Sequence, residues 1–259
     1  MIPIIIVCYN NYRYVKNTLD QLEKINPAYL NDVMIMDNDS RDKETVEYLK
    51  TVGVKVHYNI VNDGPWVTNH NNNHIYNMMP DKFVLTDPDL GFNANLPSNF
   101  IDIMSELSDK HNAAKIGFAL DISDADKFLQ IDKYLCDQPI FEFESRYWKE
   151  KVSDSEYELY DAIVDTTFAL VNKRNNPQHN NFTGRHIRIA GNFTAKHLPW
   201  YKENSLLSVE ENYNLNIQQT NISTIARHIV SYINNNYDKV ITKESFKFVK
   251  KNKVEIGLS

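Results

Sequence analysis

Four short apolar runs shape the first third of the chain, and each stops at a polar turn. They are Pro3-Ile4-Ile5-Ile6-Val7-Cys8, Asp32-Val33-Met34-Ile35-Met36, Val54-Lys55-Val56-His57-Tyr58 and Phe83-Val84-Leu85-Thr86. Runs this short and this rich in Ile and Val read as strands. Between them the spacing is helical. One helix follows the turn Tyr9-Asn10-Asn11-Tyr12 and reaches about Ile25, with Tyr14, Val15, Leu19, Leu22 and Ile25 on one face. A second passes through Thr45 to Lys50 and stops at Gly53, as at a helix C-terminus. A third leads from the loop Asn62-Asp63-Gly64-Pro65 to about Met79. Strands alternating with helices predict an α/β fold, a doubly wound and mostly parallel sheet with helices on both faces. Right-handed crossovers then put every strand-to-helix turn on the same edge. Residues 8–12, 37–40, 62–65 and 87–89 are therefore expected to converge.

The fourth run ends in Asp87-Pro88-Asp89. Proline cannot donate to a ladder, so the strand stops there. Two acids at a strand end place negative charge where α/β proteins bind ligands. Close carboxylates repel unless a cation lies between them. Mn²⁺ or Mg²⁺ suits such a place, because these ions take one or two carboxylates together with phosphate oxygens. Taken alone, Asp-Pro-Asp also fits a solvated turn.

The later chain is less regular. Residues 97–110 read as a helix and 114–120 as a strand, with further strands at 141–148, 162–170 and 187–190. A mobile loop is expected at 173–184, a turn at Gly191-Asn192 and helical spacing over 205–236, where Ile222, Ile225, Ala226, Ile229 and Ile233 recur. The lysine-bearing tail from Lys239 is expected to be partly ordered. A chain of 259 residues makes one domain, 1–204, with an extension, 205–259. A net charge of −6 argues against nucleic acid as a partner. Cys8 and Cys136 are the only cysteines, which excludes a disulfide framework and a thiolate metal site. The apolar start is too short for a signal peptide or a span, so a cytoplasmic location is expected. The amphipathic helix around 222–233 and the tail lysines leave membrane contact open but not expected.

The turn Cys8-Tyr9-Asn10-Asn11 holds no glycine, and the chain has no P-loop, which argues strongly against the NAD, FAD and ATPase readings. What remains resembles the GT-A-fold glycosyltransferases, most closely the family-two group in a bacterial and viral branch. The residues carrying that resemblance are Pro3 to Asn10, Met34-Ile35-Met36-Asp37-Asn38-Asp39-Ser40, Asn62-Asp63-Gly64-Pro65 and Thr86-Asp87-Pro88-Asp89, the last resembling a D-x-D motif. Asp161 to Leu170 and Arg188 to Tyr201 resemble further blocks of that branch. The usual Glu-Asp pair that supplies the family's base is absent.

The resemblance implies transfer of a sugar from a UDP- or GDP-linked donor to a glycan or lipid-linked acceptor, metal-dependent and inverting. It implies a nucleotide-binding half (1–90) and an acceptor half (91–204), a donor pocket of Tyr9, Asn10, Asp37, Asn62, Gly64 and Asp87, and a metal held by Asp87, Asp89 and His197. Tyr9 equally fits a core tyrosine, Asp37 a helix N-cap and His197 a satisfied histidine. Asp165, inside an apolar strand-like run, is the candidate general base, where burial would raise its pKa; its alternative is a structural carboxylate. Asp161, Asp121 and Asp124 are its rivals. His70 and His74 read as one side of a helix, and Trp148 and Trp200 as acceptor-stacking or core residues. Two other functions stay open. A nucleotidyltransferase would want a basic glycine-rich first loop, which is absent. A silent sugar-nucleotide or glycan-binding domain would not hydrolyse its donor.

Overall fold

The computed structural model describes residues 2–65, 67–68, 73–176, 183–217 and 224–235. The strands are β1 (Ile4–Cys8), β2 (Val33–Asp37), β3 (Lys55–Tyr58), β4 (Lys82–Thr86), β5 (Leu90–Phe92), β6 (Ala113–Phe118), β7 (Lys151–Val152), β8 (Leu159–Asp161), β9 (Ala169–Asn172), β10 (Arg185–Ile189) and β11 (Ala195–His197). The helices are α1 (Tyr12–Ile25), α2 (Lys43–Thr51), α3 (Asn73–Met78), α4 (Phe100–Lys110), α5 (Ile140–Ser145), α6 (Val209–Asn216) and α7 (Thr224–Asn235).

Nine strands form one sheet in the order β3-β2-β1-β4-β9-β6-β10-β8-β7. β1 pairs in parallel with β2 and β4, β2 with β3, and β6 with β10. β9 and β8 run against the rest. β5 and β11 make a separate antiparallel pair. The fold is thus α/β with a mixed, mostly parallel sheet.

Alternation along the strands divides the core between two faces. Ile4, Ile6 and Cys8 of β1 join Val15, Leu19 and Leu22 of α1 and Phe100 and Met104 of α4 on one face. Ile5 and Val7 point to the other, under Ile75 and Tyr76 of α3. Each such buried Ile, Leu or Phe contributes roughly 1.5–3 kcal/mol. Phe118 and Phe168 stack at 5.0 Å beside Phe92 and Phe100.

Two expected strands are not strands. Residues 141–148 fold as α5 and a following 3-10 turn, Arg146–Trp148. Ile140, Phe143 and Glu144 are buried while Phe141 is exposed, which is helical spacing and not alternation. Residues 162–170 do not form one strand either. β8 ends at Asp161, β9 begins at Ala169, and the segment between them crosses the sheet face without joining a ladder. The expected helix through 205–236 consists of α6 and α7. His70, the His74 side chain, residues 177–182 of the expected loop, Ile222 and the tail lie outside the described residues. Among the described residues no helix is long and apolar enough to cross a membrane.

Candidate functional site

β1, β2 and β4 are parallel, so their C-terminal turns meet at one edge. β1 gives way at Asn10, which is left-handed (φ 52°), a conformation Asn tolerates. This lets the Asn10 amide donate to Ser40 Oγ at 2.8 Å while its Oδ1 accepts from the Arg41 and Asp42 amides at 2.7 and 2.9 Å. The turns after β1 and β2 are thereby locked together. Asn38 extends the lock to the turn after β3. Its Nδ2 donates to the Gly64 carbonyl and its Oδ1 accepts from Asn59, both at 2.7 Å. Asn62 Oδ1 accepts from the Gly64 amide at 2.8 Å, and Gly64 supplies the positive φ of 73° that the turn needs.

The acids after β4 are held by their backbone. The Asp87 amide donates to the Thr166 carbonyl at 3.0 Å. Thr18 Oγ1 of α1 donates to the Pro88 carbonyl at 2.7 Å. The Asp89 carbonyl accepts from the Leu198 amide at 2.9 Å. The β5–β11 ladder sets His197 opposite Leu90, which brings His197 Nε2 to 3.4 Å from Asp89 Oδ2. Asp89 Oδ1 and His197 Nδ1 are buried without a hydrogen-bond partner. Burial raises the Asp87 carboxyl well above its usual range and the charges of Asp89 and Asp165 add to this, while Thr166 and Lys115 oppose it.

These turns wall a cleft of about 350 Å³ whose lining includes Tyr9, Asp87, Asp89, Asp165, His197 and Arg227. Asn10, Asn62 and Gly64 also reach it. Asp37 does not line it. Its side chain is buried, accepts from the Ser40 amide at 3.3 Å and is pushed above the usual carboxylate range chiefly by burial, and the neighbouring Asn38 faces the cleft instead. Asp165 reaches the cleft from the segment between β8 and β9, not from a strand, and it is exposed where burial was expected. Its rivals are engaged elsewhere. Asp161 accepts from Arg185, Asp121 caps the Ser123 amide, and Asp124 accepts from Lys196 and Tyr201. Trp200 is a core residue packed on Phe128 and His197, and Trp148 packs on Tyr160, so neither offers a face to the cleft. Burial pushes the Cys8 thiol up to about 12, which leaves it inert.

The donor set fits a divalent ion in part. Asp89 Oδ1 is an unsatisfied buried acceptor, and Asp87 lines the same cleft beside it. Among the described residues, however, no three His, Cys, Asp or Glu side chains come together as a metal-holding group. Asp87, Asp89 and His197, the expected ligand set, all line the cleft, with His197 Nε2 directed at Asp89 Oδ2. Sequence reasoning missed Asn38, Tyr134 and Arg227. Arg227 comes from α7, far away in the chain, and no local motif marks it.

No protein-family model matches the chain, and no curated protein sequence matches it. Solved structures do. The fold is similar to that of the mannosyltransferase PcManGT from Pyrobaculum calidifontis in complex with GDP-Man and Mn²⁺, at 9% identity and a TM-score of 0.46, over 100% of this chain and 80% of that one. It is similar to S. aureus TarS 1–349 in complex with UDP, at 13% identity and a TM-score of 0.43, over 92% and 72% of the two chains. It is also similar to an apo UDP-glucose pyrophosphorylase, at 11% identity and a TM-score of 0.40, over 91% and 100%.

Proposed function

We propose that the chain is a glycosyltransferase that uses a nucleoside-diphosphate sugar, with GDP- or UDP-linked donors and an acceptor hydroxyl on a glycan or lipid-linked saccharide. The observation that carries this reading is the unsatisfied buried oxygen of Asp89 beside Asp87, at the edge where the turns after β1, β2 and β4 meet. Tyr9, Asn10, Asn62 and Gly64 would shape the nucleotide side, with Asp37 acting through the turn it braces. We assign residues 1–90 to that side, 91–204 to the acceptor side and 205–259 to an extension whose α6 and α7 close the cleft.

Bound Mn²⁺ or Mg²⁺ would be held by Asp87 and Asp89 with diphosphate oxygens and would neutralise the charge that builds on the leaving group. His197 would orient Asp89 and is well placed to join the shell once its ring turns. Arg227, across the cleft, would add a cation on the diphosphate side. Asp165 would accept the proton of the attacking hydroxyl as that oxygen approaches the anomeric carbon opposite the diphosphate, which inverts the centre. Two free cysteines, one buried and one exposed, suit a reducing cytoplasm.

The test is hydrolysis of GDP-mannose and UDP-glucose with Mn²⁺ and no acceptor, read as released nucleotide. Asp165→Asn keeps the shape but cannot take the proton, so turnover should fall by ~10²–10⁴-fold while donor affinity holds. Full turnover in that variant would remove Asp165 from the chemistry. No turnover in the unaltered protein on any nucleotide sugar would reject the enzyme.

A further inference from the structure

The segment 162–167 leaves the sheet, yet its polar backbone groups are not left bare. The Ala162 amide donates to the His186 carbonyl at 3.3 Å. The Ile163 carbonyl accepts from Arg188 Nε at 2.8 Å. The Val164 amide donates to His186 Nδ1 at 3.2 Å. The Asp165 carbonyl accepts from Lys115 Nζ at 2.6 Å. The Thr166 carbonyl accepts from the Asp87 amide at 3.0 Å.

The side chains doing this come from one sheet face. Lys115 lies opposite His186 and Gly117 opposite Arg188 in the β6–β10 register. The opposite face of the same strands is Ile116, Phe118, Ile187 and Ile189. Lys115, His186 and Arg188 are all buried, at 3%, 6% and 1% exposure. His186 is neutral, its Nδ1 accepting from the Val164 amide, but the two buried cations, Lys115 and Arg188, need a reason, since leaving water costs several kcal/mol per ion. Arg188 is itself fixed by an ion pair with Glu144 and by the Tyr147 ring 4.1 Å from its guanidinium carbon. Gly117 completes the platform. A Cβ there would meet Val164 at 2.6 Å, so the segment lies directly on the β6 backbone.

We infer that Lys115, His186 and Arg188 are positioning residues, which grip three consecutive backbone units and thereby hold Asp165 at the cleft beside Asp87 and His197. All three act through the backbone of the segment. The inference rests on the reading of Asp165 as the base. Lys115, whose ammonium is held at the Asp165 carbonyl, also opposes the repulsion between the Asp87 and Asp165 charges. Misplacement of a reacting group by about 1 Å costs on the order of 10²-fold in rate.

The experiment is a double-mutant cycle on GDP-mannose and UDP-glucose hydrolysis with Mn²⁺. Lys115→Met should lower kcat by about 10²-fold with donor KM nearly unchanged. In the Asp165→Asn background the same change should cost little more, because the group it positions is already disabled. Lys115→Gln keeps an N–H for the Asp165 carbonyl and should restore part of kcat; it also serves if the methionine variant fails to fold. Losses that multiply in the double variant, or a loss of donor affinity equal to the loss of kcat, would overturn the positioning role while leaving Asp165 as the base. An Asp165→Asn variant with full turnover would instead remove the base reading, and the positioning role with it.

Discussion

Gly117 has no room for a side chain. An added Cβ would lie 2.6 Å from Val164 Cγ1, 2.9 Å from Ala169 Cβ and 3.0 Å from the Phe168 carbonyl oxygen. Gly117→Ala should therefore destabilise by roughly 1–3 kcal/mol, read as a lower urea midpoint, and an unchanged midpoint would mean that the segment can lift off β6. His186 sets a pH dependence. Burial first, then the nearby Lys115, depress its pKa to about 4, against an ordinary ~6.5. Between those values the unfolded chain binds more protons than the folded one, so stability falls as pH drops from ~6.5 to ~4, by up to about 3 kcal/mol. His186→Asn should flatten that slope in urea titrations at pH 7 and 4.5, and an unaltered slope would place the proton elsewhere. At this scale the acids Asp87 and Asp89 were legible, since a proline between carboxylates at a strand end is a local signal. The partner of Asp89 was not legible from spacing alone. His197 is brought back by the β5–β11 ladder, a pairing across more than a hundred residues.

Helix α6 shows how an element's end decides its function. Its Ser208–Glu211 capping box satisfies the first turn: Ser208 Oγ accepts from the Glu211 amide at 3.1 Å, and Glu211 accepts from the Ser208 amide at 2.9 Å and from Arg13 at 2.8 Å. Leu207, just before that end, and Asn212 and Leu215, farther along the helix, line the cleft. Ser208→Ala should cost about 1 kcal/mol, seen as a lower Tm. No change in Tm would mean that Arg13 and the packing of Val209 and Tyr213 suffice. The strands β1 to β4 were readable because each is a short apolar run between turn formers. The segment 141–148 misled because Phe-Glu-Phe alternates in letters, whereas burial follows Ile140, Phe143 and Glu144 at helical spacing. The segment 162–170 misled for a different reason. Its apolar residues pack on β6 through side chains while their backbone is bonded by Lys115, His186 and Arg188, and no composition rule signals a strand-like run that bonds to side chains.

At the scale of the whole molecule, the first half of the sheet follows from alternation and handedness, and the second half does not. β9 inserts antiparallel between β4 and β6, which fixes where the Asp165 segment crosses the face. Apolar patterning identifies such a strand but not its neighbours, because every central strand is buried on both faces. In the function proposed above, this edge takes a nucleoside diphosphate and a divalent ion together. That claim is tested most directly by thermal unfolding with GDP or UDP, each with and without Mn²⁺, in the unaltered protein and in Asp89→Ala. Binding to the folded state alone adds about 2.7 kcal/mol when free ligand is 100-fold above Kd, which moves Tm by several degrees in a chain of this size. The account predicts a rise in Tm with nucleotide and Mn²⁺ together, little rise with either alone, and no joint effect in Asp89→Ala. A full joint effect in Asp89→Ala, or no nucleotide effect in the unaltered protein, would contradict it.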